Sequence, residues 1–141
     1  PYIRINLYSV HPSHKPMELI HKDLSFKVNG VLFDVFNTLG YGYKEMYYQR
    51  AIAQGLRQAG VRFEEQVSCP LHFKTVRIGV HRFDFFVEGK LILEIKQGDY
   101  FSKTHIAQLH GYLKSQNLSL GILAYYSSRG LKIKRIVNLR P

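Results

Sequence analysis

Cysteine and acidic residues are both scarce in this chain of 141 residues. Its single cysteine, Cys69, has no partner for an internal disulfide and cannot form a cysteine-ligated metal cluster, so a reducing cytoplasm is the expected compartment. No run of about 18 apolar residues occurs, and no membrane span is therefore expected. The N-terminus from Pro1 lacks a basic segment followed by a long apolar one, so no secretory signal is expected either.

Two common kinds of binding motif are also missing. The seven histidines have no spacing typical of a metal site, and two of them, His11 and His14, fall in a proline-containing loop-like segment. Gly40-Tyr41-Gly42 lacks the flanking strand and the Lys-Ser/Thr pair of a nucleotide-binding loop. These absences direct attention to the few acidic residues.

The charge balance favours a polyanionic partner. Ten Asp and Glu residues face 20 Lys and Arg residues, which gives a net charge of +10. Such a surface attracts nucleic acid by neutralising phosphates and releasing counterions, although a generally basic soluble protein has the same composition. A hydrophobic fraction of 45% in 141 residues fits one globular domain.

Hydrophobic periodicity predicts a domain at residues 19–141 that follows an N-terminal extension at residues 1–18, where Ile3, Ile5 and Leu7 alternate weakly as in an edge strand. The first helix is expected to end at Gly40, and the second to bury Tyr48, Ile52, Leu56 and Ala59. Predicted helices cover residues 24–39, 42–59 and 103–116, and predicted strands cover residues 61–68, 71–78, 82–88, 91–96, 118–126 and 131–138. This order predicts an α/β fold of the mixed α+β kind, with a central mixed sheet flanked by helices.

The hairpin in the middle of the chain carries charges where strands normally bury apolar side chains. Asp84 lies between two phenylalanines, and Glu94 lies between Leu93 and Ile95. A buried carboxylate is costly unless it is paired or binds a metal, and two carboxylates suit Mg²⁺, with the Ile95 carbonyl as a further ligand. Lys96 shares the strand face of Glu94 and could orient a water or stabilise the transition state. The alternative is a solvent-facing acid that is ion-paired with Lys96.

Strand register provides a test of this hairpin. Asp84 lies opposite Glu94 only if Val87 pairs with Leu91, which requires a three-residue connection at residues 88–90. A two-residue turn would instead place Glu94 on the other face of the sheet. The site therefore predicts the longer connection, with Gly89 in a left-handed conformation.

Several spaced motifs together resemble those of the GxxExxY proteins, a branch of the PD-(D/E)XK nuclease superfamily. The resemblance covers about residues 21–137 and is carried by Gly42, Glu45 and Tyr48, by Asp84 and Glu94-Ile95-Lys96, and by the segments at 108–113, 121–123 and 134–137. It implies a restriction-endonuclease-like core: a helix, a three-stranded meander, a second helix and a fourth strand. Phe83 stands where the superfamily's nominal proline would be.

The resemblance also implies residue roles. Asp84, Glu94 and the Ile95 carbonyl would hold Mg²⁺ or Mn²⁺, and Lys96 would assist catalysis. Glu45 would be an extra acid directed at the same metal, or alternatively a helix N-terminal Glu favoured by the dipole. The supporting residues on the nucleic-acid side are Gln108 and Tyr112, which form a Q-x-x-x-Y pair similar to that of RecB-type exonucleases, together with Tyr48 and His105. For Tyr112 the alternative is core packing, and for His105 an ordinary position at the helix start.

The sequence thus predicts a cytoplasmic, Mg²⁺- or Mn²⁺-dependent nuclease that hydrolyses phosphodiester bonds in DNA, with a homodimer or a partner protein as a possible assembly. The alternative is a non-catalytic nucleic-acid-binding or accessory subunit that keeps the nuclease fold. Tyr100, Phe101 and Lys103 have the composition of a base-stacking and phosphate-binding loop, and Lys132 and Lys134 share a strand face that could follow a backbone. Packing with solvated charge, or protection of an edge strand by lysines, would explain the same residues.

Overall fold

The computed structural model describes residues 2–4 and 20–139, which contain three helices and six strands. In chain order the elements are β1 (Tyr2–Arg4), α1 (Lys22–Leu39), α2 (Glu45–Gln58), β2 (Phe63–Phe73), β3 (Val76–Val87), β4 (Leu91–Gln97), α3 (Lys103–Ser115), β5 (Leu120–Ser127) and β6 (Gly130–Val137). None of the helices in this part of the chain has the length and hydropathy needed to cross a membrane.

The strands form one mixed sheet in the order β1-β6-β5-β4-β3-β2. β4 and β5 run parallel, as do β1 and β6, and the other neighbouring pairs are antiparallel. Parallel strands need a crossover connection, and α3 provides it between β4 and β5. The arrangement confirms the predicted mixed sheet with flanking helices and the restriction-endonuclease-like core.

Two apolar clusters attach the helices to opposite faces of the sheet. Leu91, Leu93 and Ile95 of β4 pack with residues of α1 and α2, whereas Ile92 packs with residues of α3. Successive side chains of a strand point to opposite faces, so Glu94 and Lys96 share the face of Ile92. The sheet therefore places the predicted catalytic pair on the α3 side.

The first helix agrees with its predicted bounds and buried stripe. Val28, Leu32 and Val35 are buried at helical spacing. Gly40 ends the helix with a φ of 70°, a left-handed value that glycine adopts without a steric penalty, and its N–H donates to the Phe36 carbonyl.

The second helix is shorter than predicted. It begins at Glu45 rather than Gly42, because Gly42 has a φ of 112° that lies outside the helical region. Ala59 follows the last helical residue and is exposed, so its predicted burial is wrong, and Ala53 takes that place in the core. The other predicted core positions are confirmed: Tyr48, Ile52 and Leu56.

The strand boundaries before Val87 are the main error of the sequence prediction. The three strands predicted at 61–68, 71–78 and 82–88 are two long strands, β2 and β3, joined by a turn at Lys74 and Thr75. Pro70 does not break β2, because β2 lies at the edge of the sheet and its outer side needs no ladder hydrogen bonds. Gly79 likewise lies within β3.

The start of the chain adds the short strand β1. Ile3 pairs with Lys134 of β6, in agreement with the predicted edge strand, whereas Ile5 and Leu7 lie outside the described residues. Most of the predicted extension at 1–18 also lies outside them, so the division from the domain at 19–141 stays a prediction.

Candidate active site

The β3–β4 hairpin has the register that a shared site requires. Val87 pairs with Leu91, and the ladder ends two pairs further on at Phe85 and Leu93. The three-residue connection is confirmed, and both Glu88 and Gly89 adopt left-handed conformations, with φ values of 53° and 64°. The next residues on the two strands are Asp84 and Glu94.

Two carboxylates replace the ladder hydrogen bonds where β3 and β4 part. The N–H of Asp84 donates to Oε1 of Glu94 at 2.8 Å, and the N–H of Ile95 donates to Oδ2 of Asp84 at 2.7 Å. Both acids are buried, with exposed fractions of 8% for Asp84 and 6% for Glu94. Each side chain thus has one oxygen fixed by the opposite backbone, and its second oxygen is oriented as a consequence.

Helix α2 approaches the same point from the other face of the sheet. Nε2 of Gln49 donates to Oδ1 of Asp84 at 3.0 Å and to Oε1 of Glu45 at 3.4 Å. Gln49 follows Glu45 by four residues, so both lie on one face of the helix. The site is consequently assembled from α2, β3 and β4.

A residue of β2 also reaches Asp84. Gln66 and Asp84 fall between the pairs Glu65–Phe85 and Val67–Phe83 of the β2–β3 register, Gln66 has a φ of 52°, and its side chain lowers the pKa of the Asp84 carboxyl. A positive φ at a non-glycine residue costs about 1–3 kcal/mol and persists only where surrounding contacts impose it. The irregular backbone of β2 therefore lies directly beside the candidate site.

Burial and mutual repulsion disfavour the charged forms of these acids. Burial, with a smaller contribution from the Asp84 charge, raises the pKa of Glu94 to about 8. Burial also raises the pKa of Asp84, against the hydrogen bond from Ile95 and the charge of Lys96. Burial raises the pKa of Glu45 as well, while Lys96 opposes the shift and Asp84 adds to it. Lys96 is the nearby cation that favours all three carboxylates.

A small open pocket lies on the α3 side of this cluster. Its lining residues come from β3, β4, α3 and β5: His81, Phe83, Glu94, Lys96, His105, Gln108, Leu109, Tyr112 and Leu123. Nε2 of His81 lies 3.6 Å from Oε2 of Glu94. The His81 ring stacks on Tyr112 with centroids 4.6 Å apart. The pocket thus joins an acid and a lysine to a wall of aromatic and amide side chains.

Comparison with known proteins identifies the fold family. A sequence model of the PD-(D/E)XK nuclease superfamily matches residues 22–136, which is most of the chain. The chain belongs to the PD-(D/E)XK nuclease superfamily. The match does not reach the level of the GxxExxY branch, which stays a prediction.

Other comparisons add little to this assignment. No curated protein matches the chain significantly. One similar solved structure is described as "Crystal structure of SSO0001"; it is 17% identical, the match covers 82% of this chain and 77% of that chain, and the TM-score is 0.45. A likeness of this size carries no conclusion about the reaction.

The donor atoms of this PD-(D/E)XK site suit a hard divalent cation. Magnesium prefers oxygen ligands, keeps several waters and needs only one or two protein carboxylates. Asp84 and Glu94 supply the carboxylates, and the Ile95 carbonyl points to the same side of β4 as the N–H that Asp84 binds. Within residues 20–139, no group of three or more His, Cys, Asp or Glu side chains is placed to hold a metal. The fit therefore rests on two carboxylates, a backbone carbonyl and water.

The structure brings most of the predicted site residues together. Asp84, Glu94 and Glu45 form the acidic cluster, and Lys96 lies on the pocket face of β4. The α3 residues predicted to support the nucleic-acid side all line the pocket: His105, Gln108 and Tyr112.

Tyr48 has a structural position instead of one at the pocket. It is fully buried, its hydroxyl donates to the Gly40 carbonyl at 2.6 Å, and its ring stacks on Tyr126 with centroids 4.2 Å apart. These contacts connect the end of α1 to α2 and β5. The last residue of the G-x-x-E-x-x-Y motif thus stabilises the segment that leads to Glu45.

Sequence reasoning missed three residues of the site. Gln49 had a usable signal, because it lies one helical turn after Glu45. His81 and Gln66 had none, since their positions depend on how β2 and β3 bend beside the acids. Only the tertiary structure brings these two residues close to the carboxylates.

Proposed function

We propose that this protein is a Mg²⁺- or Mn²⁺-dependent nuclease that hydrolyses phosphodiester bonds in DNA. The observation that carries the proposal is the interlocked pair of Asp84 and Glu94, with Lys96 on the same strand face at the edge of an open pocket. Membership of the PD-(D/E)XK nuclease superfamily supports a nucleic-acid substrate, and the net charge of +10 supports a polyanionic one.

The acidic cluster would hold the metal. Asp84 and Glu94 provide carboxylate oxygens, the Ile95 carbonyl provides a third ligand, and Glu45 contributes negative charge from α2. Burial is the main cause of the raised pKa values of the three acids, with repulsion between acids adding to it at Glu94 and Glu45, and a bound cation would favour the charged forms again. When bound, the metal polarises a phosphoryl oxygen and lowers the pKa of a bound water.

The remaining pocket residues would act on the substrate. The ammonium group of Lys96 orients the attacking water or stabilises the negative charge that develops on the phosphate. The Gln108 amide can donate to a phosphate oxygen, and His105 borders the same space. The Tyr112 ring stacks on His81 and so fixes the position of the imidazole beside Glu94.

Cleavage of labelled oligonucleotides tests the proposal. Single- and double-stranded DNA, and RNA of the same sequence, are incubated with Mg²⁺ or Mn²⁺ and the wild type, Lys96→Ala or Asp84→Asn. Each substitution is expected to reduce DNA cleavage at least about 100-fold, because each removes a group that stabilises the reacting charge. Lys90→Ala, in the turn of the same hairpin, is the matched control and should cleave normally.

The outcomes separate the competing functions. Circular dichroism first establishes that each variant is folded. Normal cleavage by Lys96→Ala or Asp84→Asn would refute the assigned site. A folded wild type that binds DNA without cleaving it would favour the alternative of a non-catalytic binding or accessory subunit, and preferential cleavage of RNA would correct the substrate.

A further inference from the structure

Two segments far apart in the chain meet beside the pocket. The ring of Phe101, in the connection between β4 and α3, lies 4.6 Å from Nζ of Lys134 and 6.0 Å from Nζ of Lys132. Both lysines belong to β6, and an ammonium group within about 6 Å of a ring centroid is attracted by the ring face. Phe101 therefore contacts two cations that lie 31 and 33 residues later in the chain.

A highly exposed aromatic side chain lies next to this pair. Tyr100 is 89% exposed, which is unusual for a large ring that plays a part in packing. Lys103 is also exposed, at the first position of α3. We call Tyr100, Phe101, Lys103, Lys132 and Lys134 the aromatic–lysine patch.

The aromatic–lysine patch is continuous with the candidate active site. Phe101 packs on Tyr125 with centroids 4.2 Å apart, and the Tyr125 hydroxyl is 2.5 Å from Nδ1 of His105, which lines the pocket. Lys134 pairs across the β5–β6 ladder with Leu123, another lining residue. Cross-strand partners share a face of the sheet, so the patch and the pocket open on the same side.

The charge of the patch is strongly positive. The acid in the same region, Asp99, accepts hydrogen bonds from the Ser128 backbone and hydroxyl at 2.8–2.9 Å. These bonds, with the charges of Arg129 and Lys132, lower the pKa of Asp99. Because Asp99 is already hydrogen-bonded, the exposed Lys103 and the half-buried Lys132 and Lys134 leave an excess of positive charge here, as a phosphate-binding surface requires.

We propose that the aromatic–lysine patch binds a single-stranded stretch of nucleic acid that continues from the phosphodiester at the pocket. The inference rests on the proposed function of that pocket. Tyr100 stacks on a base, while Lys103, Lys132 and Lys134 contact phosphates. An exposed ring can stack only on a base whose face is accessible, which favours a single strand or an unpaired end over a continuous duplex.

Binding in the absence of divalent metal tests this inference separately from cleavage. Fluorescence anisotropy with labelled oligo(dT), in EDTA, compares the wild type with Tyr100→Ala and with Lys132→Gln/Lys134→Gln. The matched control is Lys22→Gln/Lys27→Gln, which removes the same charge from exposed positions of α1. A duplex of equal length is measured in parallel.

The patch variants should weaken single-strand binding about tenfold each, whereas the α1 control should change it little. The lysine pair should also make the slope of log affinity against log salt shallower by about 1.4, because each of the two lost phosphate contacts accounts for about 0.7. Tyr100→Ala should weaken duplex binding much less than single-strand binding, because it removes a stacking platform. All three variants alter exposed or half-exposed side chains, and circular dichroism verifies their folding.

Each outcome bears on one proposal or the other. Unchanged oligo(dT) binding by both patch variants, equal losses in the α1 control, or equal losses for duplex would overturn the patch. Reduced binding by the patch variants, with normal binding but no cleavage by Lys96→Ala, would support both the patch and the active site. Patch-dependent binding by a wild type that never cleaves would support the patch and overturn the proposed catalysis.

Discussion

Replacing Glu94 by glutamine should make the folded protein more stable at pH 8 when no divalent metal is present. The pKa of Glu94 is about 8, against an ordinary value of 4.5, chiefly because the side chain is buried. Between these pH values the folded protein retains a proton that the unfolded chain releases, so Glu94 reduces stability as pH rises through this range. Glutamine cannot ionise, and its carbonyl oxygen can still accept the N–H of Asp84.

The size of the effect follows from the same pKa values. At 1.36 kcal/mol for each pKa unit, the gap between 4.5 and about 8 corresponds to about 5 kcal/mol. Local relaxation and entry of water reduce such a desolvation penalty, so we expect a measured gain of about 2 kcal/mol at pH 8. The two proteins should have nearly equal stability at pH 5, where Glu94 is protonated in the folded state.

Urea denaturation followed by circular dichroism, in EDTA at pH 5, 6, 7 and 8, measures the difference in free energy of unfolding. The difference between the proteins is the relevant quantity, because His21 and His105 titrate in both, while His81 loses the carboxylate oxygen that lies 3.6 Å from its Nε2. Burial lowers the pKa of each of these histidines, so they increase stability as pH rises through about 6.5.

Glu88→Gln provides a control on the same hairpin. Hydrogen bonds from Arg62 hold the pKa of the half-buried Glu88 below its ordinary value, so its stabilising charge is present throughout pH 5–8. The substitution should therefore produce a difference that does not change with pH in this range. A Glu94→Gln difference that stays flat between pH 5 and pH 8, or has the opposite sign at pH 8, would refute the view that Glu94 is held in a desolvated, acid-rich site.

Other predictions address the metal, the buried motif tyrosine and two glycines. Adding Mn²⁺ should raise the melting temperature of the wild type but not that of Asp84→Asn, and an equal rise in both would place the metal elsewhere. Tyr48→Phe should lose about 1 kcal/mol of stability in urea denaturation, since its hydroxyl bonds the Gly40 carbonyl, without changing cleavage. Gly89→Ala should destabilise the protein by about 1 kcal/mol because the φ of Gly89 is +64°, whereas Gly30→Ala, at an exposed position of α1, should stabilise it by a similar amount. Urea denaturation measures both changes in the free energy of unfolding, and changes of the same sign would contradict the assigned conformations.

Local pattern predicted the central hairpin. The apolar residues around Asp84 and Glu94 predicted a hairpin. The requirement that both acids share one face then predicted the three-residue connection and the register, because side chains alternate along a strand. Helix α1 was equally readable from its buried stripe and its terminal glycine. Such features depend on residues that are close in the chain, so they can be predicted from a single sequence.

The errors occurred where a residue's position in the sheet overrides its local preference. Pro70 is a strand breaker in the middle of a sheet, but it is tolerated in β2 because that strand lies at the edge. Tyr48 belongs to a motif with a functional name, yet its stacking on Tyr126 makes it a core residue. The edge position of β2 cannot be read from the adjacent residues, and neither can the partner on which Tyr48 stacks, although helical periodicity predicted that Tyr48 is buried.

The sequence by itself determined which groups are available for chemistry: two carboxylates in apolar strands, a lysine on the face of one of them, and an excess of positive charge. Only the tertiary structure decided which groups join them, because strand order and helix packing bring together residues that are distant in the chain. Gln49 reaches Asp84 across 35 positions, and Phe101 reaches Lys134 across the sheet. Burial, the source of the raised pKa values, is likewise a property of the packed molecule and of no single segment.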